Sequence, residues 1–404
     1  MLRYLGHVAD RFDLRRDITF DTRVTAARYD EPSRRWQVET DNGESVDAQL
    51  VIMATGCLSV SKAPEVPGIE RYRGEMYHTG HWPHGGVDFS GQRVGVIGTG
   101  SSGIQSIPLI AEQASELTVF QRTPNFAMPA GNRPLSEVEV AEMKSTYPDW
   151  REAQRQSSFG VPIEPPTQSA LEAAPEERDT KYQAGWDKGN LVAILGAYTD
   201  TLTDKSANET AADFIRAKIR DIVEDPERAE ALTPRSFPFG TKRPCLDSGY
   251  YDTFNRAHVH LVDLRRTPLV DVTDKGVRTS EQDYELDSIV FATGFDAMTG
   301  ALMAIDIRDK GEIALQEKWG EGPRTYLGIA IAGFPNMFTI TGPLSPSVLS
   351  NMVVSIEQHV EWGRGGRLHP VSHGRLLVHG FQRSRETSCL PGLRRRGRSV
   401  PAGV

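Results

Sequence analysis

Hydrophobic positions divide the chain into segments of different period. Leu2, Leu5, Val8 and Phe12 recur at helical spacing, and Ile18 and Phe20 then open an expected strand. Trp36 to Thr40 runs into Asp41-Asn42-Gly43, a strong hairpin signal. Ala48 to Met53 is a continuous apolar run closed by Ala54-Thr55-Gly56. Such a run fits a strand buried on both faces, which requires parallel neighbours, and nothing upstream supplies them. The opening therefore reads as the interior of a domain. Further on, Arg93 to Ile97 is a short apolar strand. Ile104, Ile107, Ile110 and Ala111 follow at helical spacing, and then comes a second apolar run, Leu117 to Phe120. From Pro134 to about Pro234 the pattern is helical and acidic. There Asn208 is the expected N-cap of a helix whose Ala211, Phe214, Ile215, Ile219, Ile222 and Val223 share one apolar face, a stripe read as core packing. Ser288 to Phe291 is one more short apolar strand, and after Trp362 no period survives.

Composition changes the picture mainly in that last segment. Residues 363–404 hold nine arginines, eight glycines, no lysine and a single acid, Glu386. One reading is a basic arm for nucleic acid or membrane. The stronger reading is GC-rich DNA translated in a wrong frame, giving a disordered tail. The whole chain of 404 residues is 38% hydrophobic and 25% charged with a net charge of −8, which excludes collagen, coiled coil and bulk disorder and disfavours a nucleic-acid partner. No window approaches the eighteen apolar residues of a membrane span, and the start MLRYLGHVADRF lacks the core of a signal peptide. A soluble cytoplasmic protein is expected. Cys57, Cys245 and Cys389 are scattered singly, so neither a metal site nor a disulfide framework is expected.

The middle of the chain carries candidate chemistry. Between the strands Arg93 to Ile97 and Leu117 to Phe120 stands Gly98-Thr99-Gly100-Ser101-Ser102-Gly103, with Ile104 and Gln105 continuing the first helical turn. Strand, glycine turn, helix and strand within about 30 residues define a dinucleotide site. Gly98 permits the tight turn, Gly100 lets backbone approach the pyrophosphate, and Gly103 lets helix pack on strand. The exposed N–H groups of the helix start hold phosphate. NAD sites place an acid after the second strand for the ribose 2′-hydroxyl. Here Gln121-Arg122-Thr123-Pro124 stands instead. Arginine and a hydroxyl suit a 2′-phosphate, because the guanidinium offers a planar fork of donors. The bland alternative for Arg122 is a solvated surface side chain. NADP is the expected nucleotide.

The segment upstream carries a family likeness. Tyr72-Arg73-Gly74-Glu75-Met76-Tyr77-His78-Thr79-Gly80-His81-Trp82-Pro83, with Tyr72, Gly74, His78, Trp82 and Pro83 at the defining spacing, resembles the fingerprint of the Baeyer–Villiger monooxygenases. The glycine turn and the two segments Ala54-Thr55-Gly56 and Ala292-Thr293-Gly294 strengthen the resemblance, which covers roughly residues 1–362 and is closest to phenylacetone and cyclohexanone monooxygenases. It implies an α/β flavoprotein with a two-dinucleotide-binding-domain architecture: a Rossmann-like NADP domain with a helical insertion, plus an incomplete FAD domain. In that scheme residues 1–60 are part of the FAD domain and 61–90 the fingerprint linker. Residues 91–133 and 235–283 form the NADP domain, interrupted by the insertion at 134–234. Residues 284–362 return to the FAD domain, and 363–404 are the atypical tail.

The resemblance also implies chemistry. NADPH reduces FAD, O₂ adds to the flavin, and a flavin peroxyanion converts a ketone to an ester or lactone. That chemistry needs a fixed positive charge beside the flavin, and arginine keeps its charge in an apolar site where lysine can lose it. Arg243, in Phe239-Gly240-Thr241-Lys242-Arg243-Pro244, matches the family's active-site arginine. Lys242 matches a residue implicated in NADP binding. Val24 and Thr55 match FAD-contacting positions, as does Met352. Ser347-Val348-Leu349-Ser350 matches the substrate-lining loop, and at Leu344 related enzymes more often carry glycine. The fingerprint is expected to couple the two nucleotide domains without touching substrate.

One departure stands out. The family has an earlier glycine turn for the FAD pyrophosphate, and none precedes Gly98. The chain accordingly reads as an internal fragment, expected to hold FAD poorly and to show little oxygenase activity. Rival readings are an N- or S-oxidising flavin monooxygenase, disfavoured by Pro83 after Trp82 and by the Lys242-Arg243 pair, and an inactive NADP-binding module.

Overall fold

The computed structural model describes residues 2–345 and 350–365. Ser347, Val348 and Leu349, Cys389 and the basic tail from residue 366 onward lie outside the described residues. The described residues divide into two compact units: those up to residue 59, 147–162 and those from residue 296 onward form the first, and residues 60–146 and 163–295 the second.

The second unit is built on a five-stranded parallel sheet. Its spatial order is Val259–Asp263, Glu116–Gln121, Arg93–Ile97, Ser288–Phe291 and Glu75–His78. A parallel sheet is covered on both faces, so its central strands are mostly apolar. Val94 to Ile97, Leu117 to Gln121 and Ser288 to Phe291 are accordingly all buried. The helix Ser101–Ala111 packs on the sheet through Ile104, Ile107 and Ile110, each at most 3% exposed. Each such side chain contributes about 1.5–3 kcal/mol by burial. Ser288 to Phe291, expected as the strand returning the chain to the FAD domain, itself belongs to the second unit's sheet. Those four residues fill the sheet between Arg93–Ile97 and Glu75–His78, and the chain changes unit only between Phe295 and Asp296. The fingerprint, expected as a linker, likewise contributes Glu75–His78 as the edge strand of the sheet.

The expected helical insertion comprises Glu137–Ser145, Tyr147–Gln156, Pro175–Lys188, Val192–Leu195, Lys205–Ile222 and Pro226–Leu232. It does not stay together, since residues 147–162 belong to the first unit. In the helix Lys205–Ile222 the N-cap is Asp204, whose carboxylate accepts from the N–H groups of Ser206 and Ala207 at 2.8 and 2.9 Å. Asn208, read from sequence as the cap, lies inside the helix and is 6% exposed.

In the first unit, Val24–Asp30, Arg35–Thr40 and Ser45–Ala48 form the antiparallel meander that the Asn42-Gly43 turn announces, with Gly43 at φ 86°. Asp306–Arg308 adds in parallel to its edge. Ile18 and Phe20 form no strand; they are 47% and 56% exposed, and a short 3₁₀ turn, Leu14–Asp17, precedes them. The run Ala48 to Met53 also breaks in two. Ala48 ends the meander, while Val51–Met53 pairs in parallel with Met337–Thr339. A parallel partner therefore exists, supplied from downstream, yet Ile52 remains 56% exposed. The helix Met352–Gly365 continues past Trp362 and is bound to Tyr147–Gln156 by the Arg151–Glu357 pair at 2.9 Å and the Arg155–Glu361 pair.

Candidate dinucleotide and active site

In open parallel sheets, ligands bind at the carboxyl ends of the strands. Four strands of the second unit end at the singled-out motifs: Ile97 leads into Gly98, Gln121 into Arg122, Phe291 into Ala292-Thr293-Gly294, and His78 closes the fingerprint strand.

Each glycine of the turn has a separate physical reason. Gly98 adopts φ 109°, and a Cβ there would stand 2.6 Å from the carbonyl oxygen of Ala292. A Cβ on Gly103 would stand 2.3 Å from the Gly98 carbonyl oxygen. Gly100, by contrast, has extended backbone and no atom within 4 Å of a Cβ position. The space beside Gly100 is open, and the helix that starts there has no side-chain cap. Its N–H groups and dipole are thus available to an anion. Thr99 is 4% exposed and donates to the Thr123 carbonyl at 3.2 Å, tying the turn to the end of the neighbouring strand. Ser101 and Gln105 are exposed and Ser102 half-buried. Ile104 leaves the set of nucleotide contacts: its side chain is fully buried and its N–H donates to the Gly100 carbonyl at 2.9 Å.

Lys242 and Arg243 stand at the apex of a loop. Phe239 (1% exposed) and Cys245 (1%) anchor its ends, while Thr241, Lys242 and Arg243 are exposed. The Lys242 ammonium lies over the Phe237 ring, 4.6 Å from its centroid. Among the described residues no carboxylate pairs with Arg122, Lys242 or Arg243. Neighbouring arginines are committed elsewhere: Arg216 to Glu209 and Asp213, Arg235 to Glu230, and Arg265 to Asp263.

The fingerprint residues act on the second unit's own framework. Tyr72 is 8% exposed and donates to the Leu286 carbonyl at 2.9 Å, and burial pushes its hydroxyl up to about 12. Gly74 is required because a Cβ would stand 2.6 Å from the Asp287 carbonyl oxygen, as well as against the Tyr72 ring. His78 Nδ1 accepts from the Gly80 N–H at 3.0 Å, so Nε2 carries the proton and donates to Thr293 Oγ1 at 3.1 Å. The Thr293 hydroxyl in turn donates to the Lys62 carbonyl at 3.2 Å. Trp82 packs against Tyr77 and Phe89, and the Pro83 carbonyl accepts from Gly86. The segment thereby ties the Ala292-Thr293-Gly294 turn to the strand edge.

This arrangement predicts a pH dependence. Desolvation, then the nearby His81, lowers the His78 pKa below its ordinary 6.5. A second proton would land on Nδ1, opposite the Gly80 N–H, and break that bond. The contribution is therefore complete above about pH 6.5 and is lost as pH falls through the depressed native value. In His78→Asn, whose side-chain oxygen still accepts from Gly80, this titration is absent. The stability difference between wild type and variant is expected to shrink from pH 8 to pH 5.5 in thermal melts. A constant difference would refute the assignment.

In the first unit, Val24 opens the strand Val24–Asp30, and the Thr55 carbonyl accepts from the Ser59 hydroxyl. Met352 begins its helix just after Asn351, which donates to the Gly160 carbonyl at 3.3 Å. Ser350 shares a hydrogen bond of 2.7 Å with Ser355. Leu344 is 63% exposed at φ 67°, the left-handed region that glycine adopts freely. Sequence reasoning overlooked His359, 5% exposed, whose Nδ1 accepts from the Thr341 N–H at 3.0 Å and pins this loop to the helix. No group of metal-ligating side chains occurs among the described residues. Nor is any described helix long and apolar enough to cross a membrane.

Comparison with known proteins agrees with this geometry. Residues 1–145 match the family described as pyridine nucleotide-disulphide oxidoreductase. A steroid monooxygenase structure bound to NADP superposes with a TM-score of 0.87 at 53% identity, over 90% of this chain and 70% of that one. The 2-oxo-Δ³-4,5,5-trimethylcyclopentenylacetyl-CoA monooxygenase of Pseudomonas putida is 44% identical over 90% of this chain and 68% of its own length. A Baeyer–Villiger monooxygenase of Pseudooceanicola batsensis is 41% identical over 90% of this chain and 66% of its own. The fold is therefore that of the α/β flavoproteins with two dinucleotide-binding domains. Within that class, the chain belongs to the Baeyer–Villiger monooxygenase family. It spans about two thirds of the length of these relatives.

Proposed function

We propose that the protein is an NADPH-dependent flavin monooxygenase that inserts one oxygen atom of O₂ beside a ketone carbonyl, giving an ester or lactone. The carrying observation is the loop apex at Lys242-Arg243, which presents two cations that no described carboxylate neutralises. FAD, reduced by NADPH, supplies the oxygen-activating chemistry. Arg243 provides a permanent positive charge for the negative oxygens that develop during insertion. The open backbone at Gly100 and the uncapped helix behind it take the NADP pyrophosphate, while Arg122, Thr123 and Lys242 serve its 2′-phosphate. Val24, Thr55 and Met352 serve the flavin side. The chain's one glycine-rich phosphate turn lies in the second unit, so the FAD pyrophosphate has no corresponding turn among the described residues. We place the reaction in the cytoplasm, where NADPH is regenerated.

The test is product analysis with FAD, NADPH, O₂ and a panel of ketones, amines and sulfides. Ester or lactone formation supports the proposal. N- or S-oxides without any ester would replace it with the rival reading. A second measurement isolates the nucleotide. Arg122→Ala is expected to weaken NADPH by about 1.5–3 kcal/mol, the value of a charge-assisted contact, with little change for NADH. Equal losses for both nucleotides would remove Arg122 from the 2′-phosphate.

A further inference from the structure

We propose that Asn208 is a positioning residue for Lys242 and Arg243, setting the conformation of the loop that carries both cations. The amide lies near the start of the helix at a buried position among Ala207, Ala211, Ala212, Ile215 and Ile219, with the ion-paired Arg216 beside them. The Asn208 Nδ2 group donates to the Phe239 carbonyl at 2.8 Å and the Thr201 carbonyl at 2.9 Å, and Oδ1 accepts from the Phe239 N–H at 2.9 Å. One side chain thus satisfies both backbone groups of Phe239, as a neighbouring strand would. A buried amide is costly unless bonded, and an apolar residue here would leave both groups of Phe239 without partners.

Phe239 is the last residue before the apex that another element's side chain holds, and within the loop the Thr241 N–H donates to the Pro238 carbonyl at 3.2 Å. Gly240 follows at φ 86°, then the exposed Thr241, Lys242 and Arg243. The far end is fixed too: the Cys245 N–H donates to the Phe126 carbonyl at 2.8 Å. The Cys245 thiol contacts the Asn125 amide at 3.2 Å and the Ser101 hydroxyl at 3.3 Å, the latter on the first residue of the phosphate-binding helix. Five residues separate the two anchors, so releasing Phe239 frees the position of Lys242 more than that of Cys245. The long, flexible stem of lysine makes its placement depend on its backbone.

The inference rests on the reading that Lys242 serves the 2′-phosphate, and the experiment separates the two. Dissociation constants of NADP⁺ and NAD⁺ are measured by titration calorimetry on the purified chain. The variants are Asn208→Asp, Asn208→Ser, Lys242→Ala and Asn208→Asp combined with Lys242→Ala. Asn208→Asp keeps the acceptor for the Phe239 N–H but loses both donors. Either Asn208 variant is expected to lower the preference for NADP⁺ over NAD⁺ by roughly five- to tenfold, a partial loss of one charge-assisted contact. In the Lys242→Ala background Asn208→Asp should add nothing to that ratio. Ile219→Val, which loosens the same helix without touching the loop, is expected to leave the ratio unchanged. If Lys242→Ala lowers the preference and folded Asn208 variants do not, Asn208 is only structural and the proposal fails. If Lys242→Ala itself leaves the preference unchanged, the reading of Lys242 fails first and the proposal with it.

Discussion

Replacing Arg243 by alanine is expected to lower ketone oxygenation in the flavin-loaded enzyme by about 10²- to 10³-fold, the usual cost of removing one preorganised stabiliser of developing negative charge. The fold should survive the change. Arg243 is exposed, none of the described carboxylates pairs with it, and the loop ends are held at Phe239 and Cys245. Surface substitutions of that kind alter stability by only about ±0.5 kcal/mol. NADP⁺ binding should remain within a few-fold, because Lys242 and Arg122 are untouched. The decisive comparison is therefore ester formation against NADP⁺ affinity in one preparation. Arg243→Lys restores charge but not the fixed guanidinium, and an intermediate rate is expected. Ester formation at the wild-type rate in Arg243→Ala would remove this residue from the chemistry.

The glycine turn was legible in sequence because three constraints coincide within six residues: a positive φ at Gly98, a helix–strand contact at Gly103 and open space at Gly100. Local patterns also foretold the meander, since Asn42-Gly43 and the period-two residues before it report on adjacent backbone. What sequence missed was non-local. Ile18 and Phe20 have strand composition but no strand partner among the described residues, and no local signal reveals a missing neighbour. Met337–Thr339 pairs with Val51–Met53 across more than 280 residues, beyond the reach of any periodicity. Asn208 shows a signal that was present and misjudged. Its spacing to Ala211, Ile215 and Ile219 places it on the buried face, while Asp204 stands four residues earlier as an equally good cap. An amide at a core position of a helix is better read as a search for a non-local partner. The fingerprint was recognised as a motif, but its role as a sheet edge depends on the late strand Ser288–Phe291 that it joins.

Substitution of the three turn glycines should separate folding from binding. Gly103→Ala places a methyl 2.3 Å from the Gly98 carbonyl oxygen, a backbone atom that cannot step aside without moving the strand–helix junction. Gly98→Ala combines a contact of 2.6 Å to the Ala292 carbonyl oxygen with φ 109°. Overpacking costs about 1–3 kcal/mol, and a left-handed conformation adds about 1–2 kcal/mol, so both variants should melt well below the wild type. Gly100→Ala differs in kind. Its backbone is extended, φ −83° and ψ −171°, and nothing lies within 4 Å of the new methyl group. The variant should fold as stably as the wild type, yet the methyl occupies the space through which the pyrophosphate reaches the helix N–H groups. Losing one charge-assisted bond there costs about 1.5–3 kcal/mol, or roughly 10- to 100-fold in affinity. NADP⁺ and NAD⁺ should lose equally, because the pyrophosphate is common to both, in contrast to Arg122→Ala. Thermal melts and calorimetric titration of the three variants provide the check. A Gly100→Ala protein that melts normally and binds both nucleotides as the wild type does would place the pyrophosphate elsewhere.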